Sequence, residues 1–263
     1  MERTVRNTGR DIEGSGIESH AVVVGASLAG IRTAQALRRG GFSGTVSIIG
    51  DEVEPPYDRT LLSTHVLAQT SFPDIPRLLP PPAAEAEGLH LLLGKRAVAL
   101  DLARRRVIVT DTSEVPYDVL VIATGACSRV APWQARSGVH VLRTLADCHA
   151  LRADLALGGP VVVVGAGLTG SEVAATCRTL GHTVTLVDSA PGPMESHVGV
   201  EVGARLAALH RRHGTRTGFG AGVVAIDGTR GDLTVRLADG TELRCATAVV
   251  ATGTRPNDSW LTS

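Results

Sequence analysis

Gly165-Ala166-Gly167-Leu168-Thr169-Gly170 follows the apolar run VVVVG and leads into LTGSEVAATCRTL, a stretch with helical spacing. Three glycines at this spacing each have a task. Gly165 permits a tight turn, Gly167 lets the backbone approach a pyrophosphate, and Gly170 allows the helix to pack closely. The helix N-terminus adds free N–H groups and partial positive charge, so an anion belongs there. Asp188 ends the next strand, where a carboxylate can accept hydrogen bonds from ribose hydroxyls. Neither Ser189 nor Ala190 offers the cation that a 2′-phosphate needs, which favours NADH over NADPH.

The same arrangement occurs earlier, as Gly25-Ala26-Ser27-Leu28-Ala29-Gly30, with Ser27 in place of the middle glycine. Serine adds only a small side chain, so a pyrophosphate still approaches, though less freely. Gly50 holds the place of the ribose acid, and Asp51, immediately after it, is the ribose ligand by this reading. One such turn alone can be a strand-to-helix corner that merely needs small residues. Two of them, each followed by an apolar strand ending in Ala-Thr-Gly, at Thr124-Gly125 and at Thr252-Gly253, point to two dinucleotides.

Positioning these turns requires two βαβ units. Residues 21 to 25 read as a buried strand, 28 to 39 as a helix closed by Gly40-Gly41, and 45 to 49 as a second buried strand. The second half repeats the plan with a strand at 161 to 165, a helix at 168 to 180, a strand at 183 to 187 and a helix at 200 to 213. Short strands follow each unit, at 89 to 93, 97 to 101, 106 to 110 and 118 to 123, then at 222 to 226, 232 to 237, 241 to 244 and 246 to 251. Residues 53 to 88 hold most of the prolines and show only a short helical stretch near 60 to 68. A repeat of about 135 residues describes two similar nucleotide folds rather than a solenoid. The fold class is therefore α/β, with two Rossmann-like domains, parallel sheets and β-meander insertions. Residues 1 to 20 form an arm without hydrophobic periodicity. Residues 21 to 126 make one domain, 127 to 144 a linker, and 145 to 263 the other domain.

Composition narrows the function classes. Lys plus Arg is 26 and Asp plus Glu is 26, so no global basic field gathers nucleic acid. Two tryptophans, two tyrosines and three phenylalanines give few stacking platforms for bases. Neither a membrane span nor a secretory leader is recognisable, which reads as a cytoplasmic protein. Cys127, Cys148, Cys177 and Cys245 fit no CxxC pair and no common zinc spacing, and read as buried small hydrophobes. His210 and His213 share a helix face but have no third ligand, so no metal site is expected. The Arg104-Arg105-Arg106 cluster falls in a turn, although arginine surfaces also suit acidic partners.

Residues 21 to 261 resemble the FAD-dependent ferredoxin reductases that serve oxygenase and cytochrome P450 systems. The likeness is carried by the GASLAG turn, Gly50-Asp51-Glu52, Pro56-Tyr57-Asp58-Arg59 with Leu62-Ser63, Leu142-Arg143-Thr144-Leu145, GAGLTGSE ending at Glu172, and Pro256-Asn257. The related disulfide reductases carry a CxxxxC pair after the ribose acid; no cysteine precedes Cys127 here, which excludes a dithiol mechanism. The resemblance implies FAD contacts at Ala29, Asp51, Ala97 and Arg143, with Gly25 and Gly30 framing the pyrophosphate turn; Ser27, Arg59, Thr64, Thr124, Gly125 and Gly253 are further candidates for cofactor binding. It implies NAD(H) contacts along Gly165, Gly167, Leu168, Thr169 and Gly170 and at Asp188, with Glu172 near the nicotinamide carboxamide. Arg143 also reads as a surface arginine, and Glu172 as a solvated residue that suits the helix dipole in the first turn. The implied activity is NADH-dependent electron transfer through FAD to a ferredoxin-like iron–sulfur carrier, the cofactor supplying the catalytic group.

Two departures from that family stand out. Its PPLSK lysine, which pairs with the glutamate matching Glu172, is here Thr64, so a neutral group replaces a cation and flavin reduction should be slower. The family's later segment, which returns to the flavin domain, has no counterpart before Ser263. FAD should then bind weakly, and an open sheet edge should invite another chain, a second copy or a different protein, to complete the flavin domain. The alternatives are a redox-silent nucleotide-binding or partner-binding module that keeps the NAD half, and a piece of a longer reductase.

Overall fold

A computed structural model of the chain describes residues 19–69, 75–129, 131–133 and 136–261. Most of the expected N-terminal arm, residues 1–18, lies outside the described residues. Two compact units emerge. Residues up to Val53 and Pro81–Ala123 form the first, and Glu54–Pro80 with Thr124–Trp260 form the second. Residues 54–80, counted with the first half in the sequence, thus cluster with the second.

The first unit begins with β1 (His20–Val24), α1 (Leu28–Arg39) and β2 (Thr45–Ile49), then α2 (Pro81–Ala86) and β3 (Leu89–Leu92). β4 (Ala97–Asp101), β5 (Arg106–Val109) and β6 (Glu114–Pro116) make an antiparallel meander, and β7 (Val119–Ile122) returns to the main sheet. The order β3-β2-β1-β7 is parallel throughout. Parallel strands covered on both faces need side chains that are apolar on both, and the AVVV of β1 is fully buried. Ile31 and Ala34 turn the buried face of α1 inward, and Gly41 (φ 87°) ends that helix. β7 pairs only with β1 among the described strands, and Val119 and Ile122 are 42% and 52% exposed.

In the second unit a short 3₁₀ turn (Arg59–Leu61) runs into a π turn (Leu62–Val66). β8 (Ala126–Ser128), β9 (Val139–His140) and α3 (Leu145–Leu155) follow, then β10 (Val161–Val164), α4 (Leu168–Thr179), β11 (Val184–Asp188), α5 (Glu195–Arg212) and β12 (Arg216–Phe219). β13 (Val223–Thr229), β14 (Asp232–Leu237) and β15 (Glu242–Cys245) form the second meander, and β16 (Thr247–Val250) and β17 (Thr254–Pro256) close the unit. The five-stranded parallel sheet runs β12-β11-β10-β16-β9. One face buries Val161, Val163, Leu186 and Val249 with α3, α4, Tyr57, Leu62, Val66 and Ile75; the other buries Val162, Val164, Ala248 and Val250 beneath the meander.

Both βαβ units and both meanders stand where the sequence places them. The differences are local. α5 starts five residues before the expected 200, because the chain kinks at Gly199 (φ 80°, ψ 168°), and only the part after that glycine shows regular helical spacing. α2, α3, β6, β8, β9, β12 and β17 are additional. No helix among the described residues is long and apolar enough to cross a membrane.

Candidate functional site: two glycine turns and a strap on α4

Each glycine turn is shaped by contacts that exclude a side chain. A Cβ on Gly170 would stand 1.8 Å from the Gly165 carbonyl oxygen, and one on Gly30 would stand 1.8 Å from that of Gly25. These collisions explain why both helices can cross so close to their strands. Gly165 has φ +98°, and its Cβ would meet the Ala251 carbonyl at 2.4 Å. Gly167 differs: nothing lies within 4 Å of its Cβ position, so the space over the turn is open on that side. Ser27 holds the corresponding place in the first unit.

α1 and α4 both begin without a side-chain cap, and neither has an acidic residue in its first turn. α3 shows that this chain can cap a helix fully: the Thr144 hydroxyl accepts the Asp147 N–H at 3.1 Å, and the Asp147 carboxylate accepts the Thr144 N–H at 2.8 Å. The first N–H groups of a helix need a partner. An uncapped helix start behind a glycine turn, beside exposed Leu28 or Leu168, is a donor set that fits a phosphate. The residues present therefore fit a dinucleotide pyrophosphate at each turn. Glu172 falls in the second turn of α4 rather than the first, so the helix dipole does not account for it.

The two ribose-acid positions have diverged. Asp188 Oδ2 accepts the Ala166 N–H at 2.5 Å, and Oδ1 accepts the Ala190 N–H at 2.8 Å, so this carboxylate holds the glycine turn from below. In the first unit Gly50 stands at the equivalent register, since Val24 pairs with Ile49 as Val164 pairs with Val187. A Cβ on Gly50 would come within 2.7 Å of the Ala26 side chain, which explains the missing acid. Asp51, one residue on, is exposed and forms a two-pronged pair with Arg96, at 3.0 Å from Nε and 2.8 Å from Nη2. Ala97, the next residue after Arg96, opens β4.

The described residues of 54–80 act as a strap within the second unit. The Tyr57 hydroxyl accepts the Leu145 N–H at 2.7 Å, and the Arg59 guanidinium stands 5.5 Å over the Tyr57 ring while donating to the Arg143 carbonyl at 2.8 Å. Side chains of the neighbouring helices reach three carbonyls of the π turn. Cys148 Sγ reaches Leu62 O at 3.6 Å, Thr176 Oγ1 reaches Ser63 O at 2.7 Å, and Arg152 Nη1 reaches Val66 O at 2.6 Å. Ser63, buried, donates its hydroxyl to Glu172 Oε2 at 2.5 Å. Thr64 is exposed, so the residue that meets Glu172 is Ser63 and not Thr64.

Other sequence-selected residues also meet here. Arg143 Nε donates to the Ala126 carbonyl at 2.8 Å, beside Gly125 (φ +63°). Thr124 Oγ1 donates to Asn257 O at 2.7 Å, and Asn257 Nδ2 returns a bond to Thr124 O at 3.0 Å. Arg59, Thr124, Gly125 and Arg143 are thus joined within the second unit, with Asn257 as a partner that the Pro256-Asn257 match could have indicated. Gly253 (φ +99°) lies against Arg129.

The cysteines are free, and burial pushes the Cys148 and Cys245 thiols up to about 11 and that of Cys177 to about 12. Thiols held protonated at neutral pH make poor nucleophiles. No group of His, Cys, Asp or Glu among the described residues could hold a metal ion.

A duplicated parallel βαβ scaffold with an uncapped glycine turn in each copy is the architecture of a dinucleotide-binding fold. Residues 19–263 match the pyridine nucleotide-disulphide oxidoreductase family, and the chain belongs to it. It is 36% identical over 238 residues to the biphenyl dioxygenase system ferredoxin–NAD(+) reductase component of Paraburkholderia xenovorans, covering 90% of this chain and 58% of that protein. Rhodocoxin reductase of Rhodococcus erythropolis is 33% identical over 239 residues, covering 90% of this chain and 56% of that one. Among solved structures, the ferredoxin reductase for the CYP199A2 system from Rhodopseudomonas palustris superposes with a TM-score of 0.88 at 31% identity, over 92% of this chain and 60% of its own. The covalent putidaredoxin reductase–putidaredoxin complex gives 0.86 at 31% identity, over 92% and 60%. The chain therefore spans under two thirds of the length of these relatives.

Proposed function

We propose that this chain carries the nucleotide-binding halves of an NADH-dependent flavoprotein reductase that delivers electrons to a small ferredoxin-like iron–sulfur protein. The observation that carries the reading is the pair of uncapped helices behind glycine turns, in a chain that caps α3 completely. FAD is assigned to the first turn, with Gly25, Ser27, Ala29, Gly30, Asp51 and Ala97 as its contacts in that unit. NADH is assigned to the second, with Gly165, Gly167, Leu168, Thr169, Gly170 and Asp188. A flavin, once bound, links the two-electron chemistry of a nicotinamide to the one-electron chemistry of an iron–sulfur centre. The names of the matching relatives, ferredoxin–NAD(+) reductase components of oxygenase systems, support the acceptor class.

A second reading, a nucleotide-binding module without flavin turnover, is favoured by Thr64, which leaves the strap without a cation at that position. An absorbance scan of the purified chain separates the two. Flavin bands that bleach when NADH is added under nitrogen support the reductase. NADH binding without flavin bands supports the module and sinks the first reading.

A further inference from the structure

Ser63 is tied to a single helix by its hydroxyl and its carbonyl. Its hydroxyl donates to Glu172 and its carbonyl accepts from Thr176, one turn further along α4. Glu172 forms no ion pair among the described residues, and its second carboxylate oxygen, Oε1, has no hydrogen-bond partner among them. A half-buried carboxylate with one oxygen pinned by a buried hydroxyl and the other left available is prepared to accept from a ligand.

Topology says where that oxygen lies. The strap touches α3 through Leu62 and Val66 and α4 through Ser63, so the Ser63–Glu172 contact is on the flank of α4 that faces α3. α4 leads from β10 to β11, at whose end Asp188 stands, while α3 enters from β9, beyond β16. The contact therefore faces away from Asp188. In an open α/β sheet the ligand crosses the end of the strands where their order reverses, here between β10 and β16. A dinucleotide with its adenosine ribose at Asp188 places its nicotinamide half on the β16 side, where Glu172 stands. We propose that Ser63 is a positioning residue that holds the Glu172 carboxylate to receive the nicotinamide carboxamide, a task for which this chain uses a neutral hydroxyl. The proposal rests on the reading of the second turn as an NADH site.

Titration of the purified chain with NADH and, separately, with ADP-ribose tests it, because ADP-ribose lacks the nicotinamide. Ser63→Ala should weaken NADH by roughly threefold to tenfold and leave ADP-ribose unchanged, and Ser63→Thr, which keeps the hydroxyl, should restore NADH affinity. In a Glu172→Gln background, Ser63→Ala should have no further effect on NADH. Equal losses for both ligands, or losses that simply add in the double variant, would overturn the proposal by showing that Ser63 only holds the strap in place. If Ser63→Ala does not fold, Glu172→Gln decides alone: unchanged NADH affinity in that variant also overturns it. Failure of the unaltered chain to bind either ligand overturns the NADH reading itself, a result distinct from any of these.

Discussion

Asp188 supports the turn that precedes it, accepting the Ala166 N–H at 2.5 Å from the end of the neighbouring strand. An oxygen with two lone pairs can hold a backbone amide and still meet a ribose hydroxyl, so under the proposed NADH reading Asp188 would do both. Asp188→Ala should lower stability by about 1–3 kcal/mol, the cost of removing a charged hydrogen-bond partner. It should also weaken NADH at least tenfold. Urea unfolding without nucleotide and an NADH titration measure the two effects separately, and a loss confined to binding would deny the structural half.

The glycines of the second turn should differ sharply from one another. Gly170→Ala meets a carbonyl oxygen at 1.8 Å and should destabilise the fold by about 1–3 kcal/mol or more. Gly167→Ala enters open space at an ordinary backbone conformation (φ −70°), so thermal stability should hold while NADH binding falls. Equal melting temperatures for the two variants would contradict the geometry.

Thr64 stands exposed beside Ser63 on the strap. Thr64→Lys returns a cation to this position and should speed flavin reduction by NADH in a stopped-flow experiment on FAD-loaded protein. An unchanged rate would remove Thr64 from any account of electron transfer.

Thiol labelling should follow burial. At pH 8 Cys148, Cys177 and Cys245 are buried and their thiols titrate near 11 to 12, so native protein should react through Cys127 alone. Unfolding in guanidinium should expose all four, and fast labelling of a second thiol in the native state would place one of the three outside the core.

Acid should destabilise the fold through two histidines. Burial lowers the pKa of His20 and of His210 below the ordinary 6.5, so between the two values the unfolded chain binds more protons than the folded one. Their contribution is complete above 6.5 and is lost as the pH falls through the folded values. The melting temperature should therefore drop from pH 7 to pH 5, and His210→Gln should make the drop shallower. A wild-type curve flat across this interval would refute the assignment.

Much of the site was legible because it is local. The glycine spacing, the apolar strands and the helix stops at Gly41 and Gly181 all act within a few residues of one another. α3 also had readable signals, the Thr144–Asp147 capping pair and the buried spacing of Leu145, Cys148, Leu151 and Leu155, within a stretch that otherwise resembles a linker. β9 had none: two residues become a strand only because β16, far along the chain, pairs with them. The Ser63–Glu172 bond was hidden for a different reason. Its partners are 109 positions apart, and it forms in a π turn, whose wider winding shifts side-chain directions relative to an α-helix. The match to the lysine position pointed to Thr64, while the winding presents Ser63.

The borrowed side chains of the π turn also impose a sequence of events at birth. Leu62, Ser63 and Val66 leave the ribosome well before Cys148, Arg152 and Thr176, whose side chains reach their carbonyls. During synthesis at about 5–20 residues per second, this segment waits several seconds for those partners. Its final conformation is thus a late step of maturation, set only after α4 has been made.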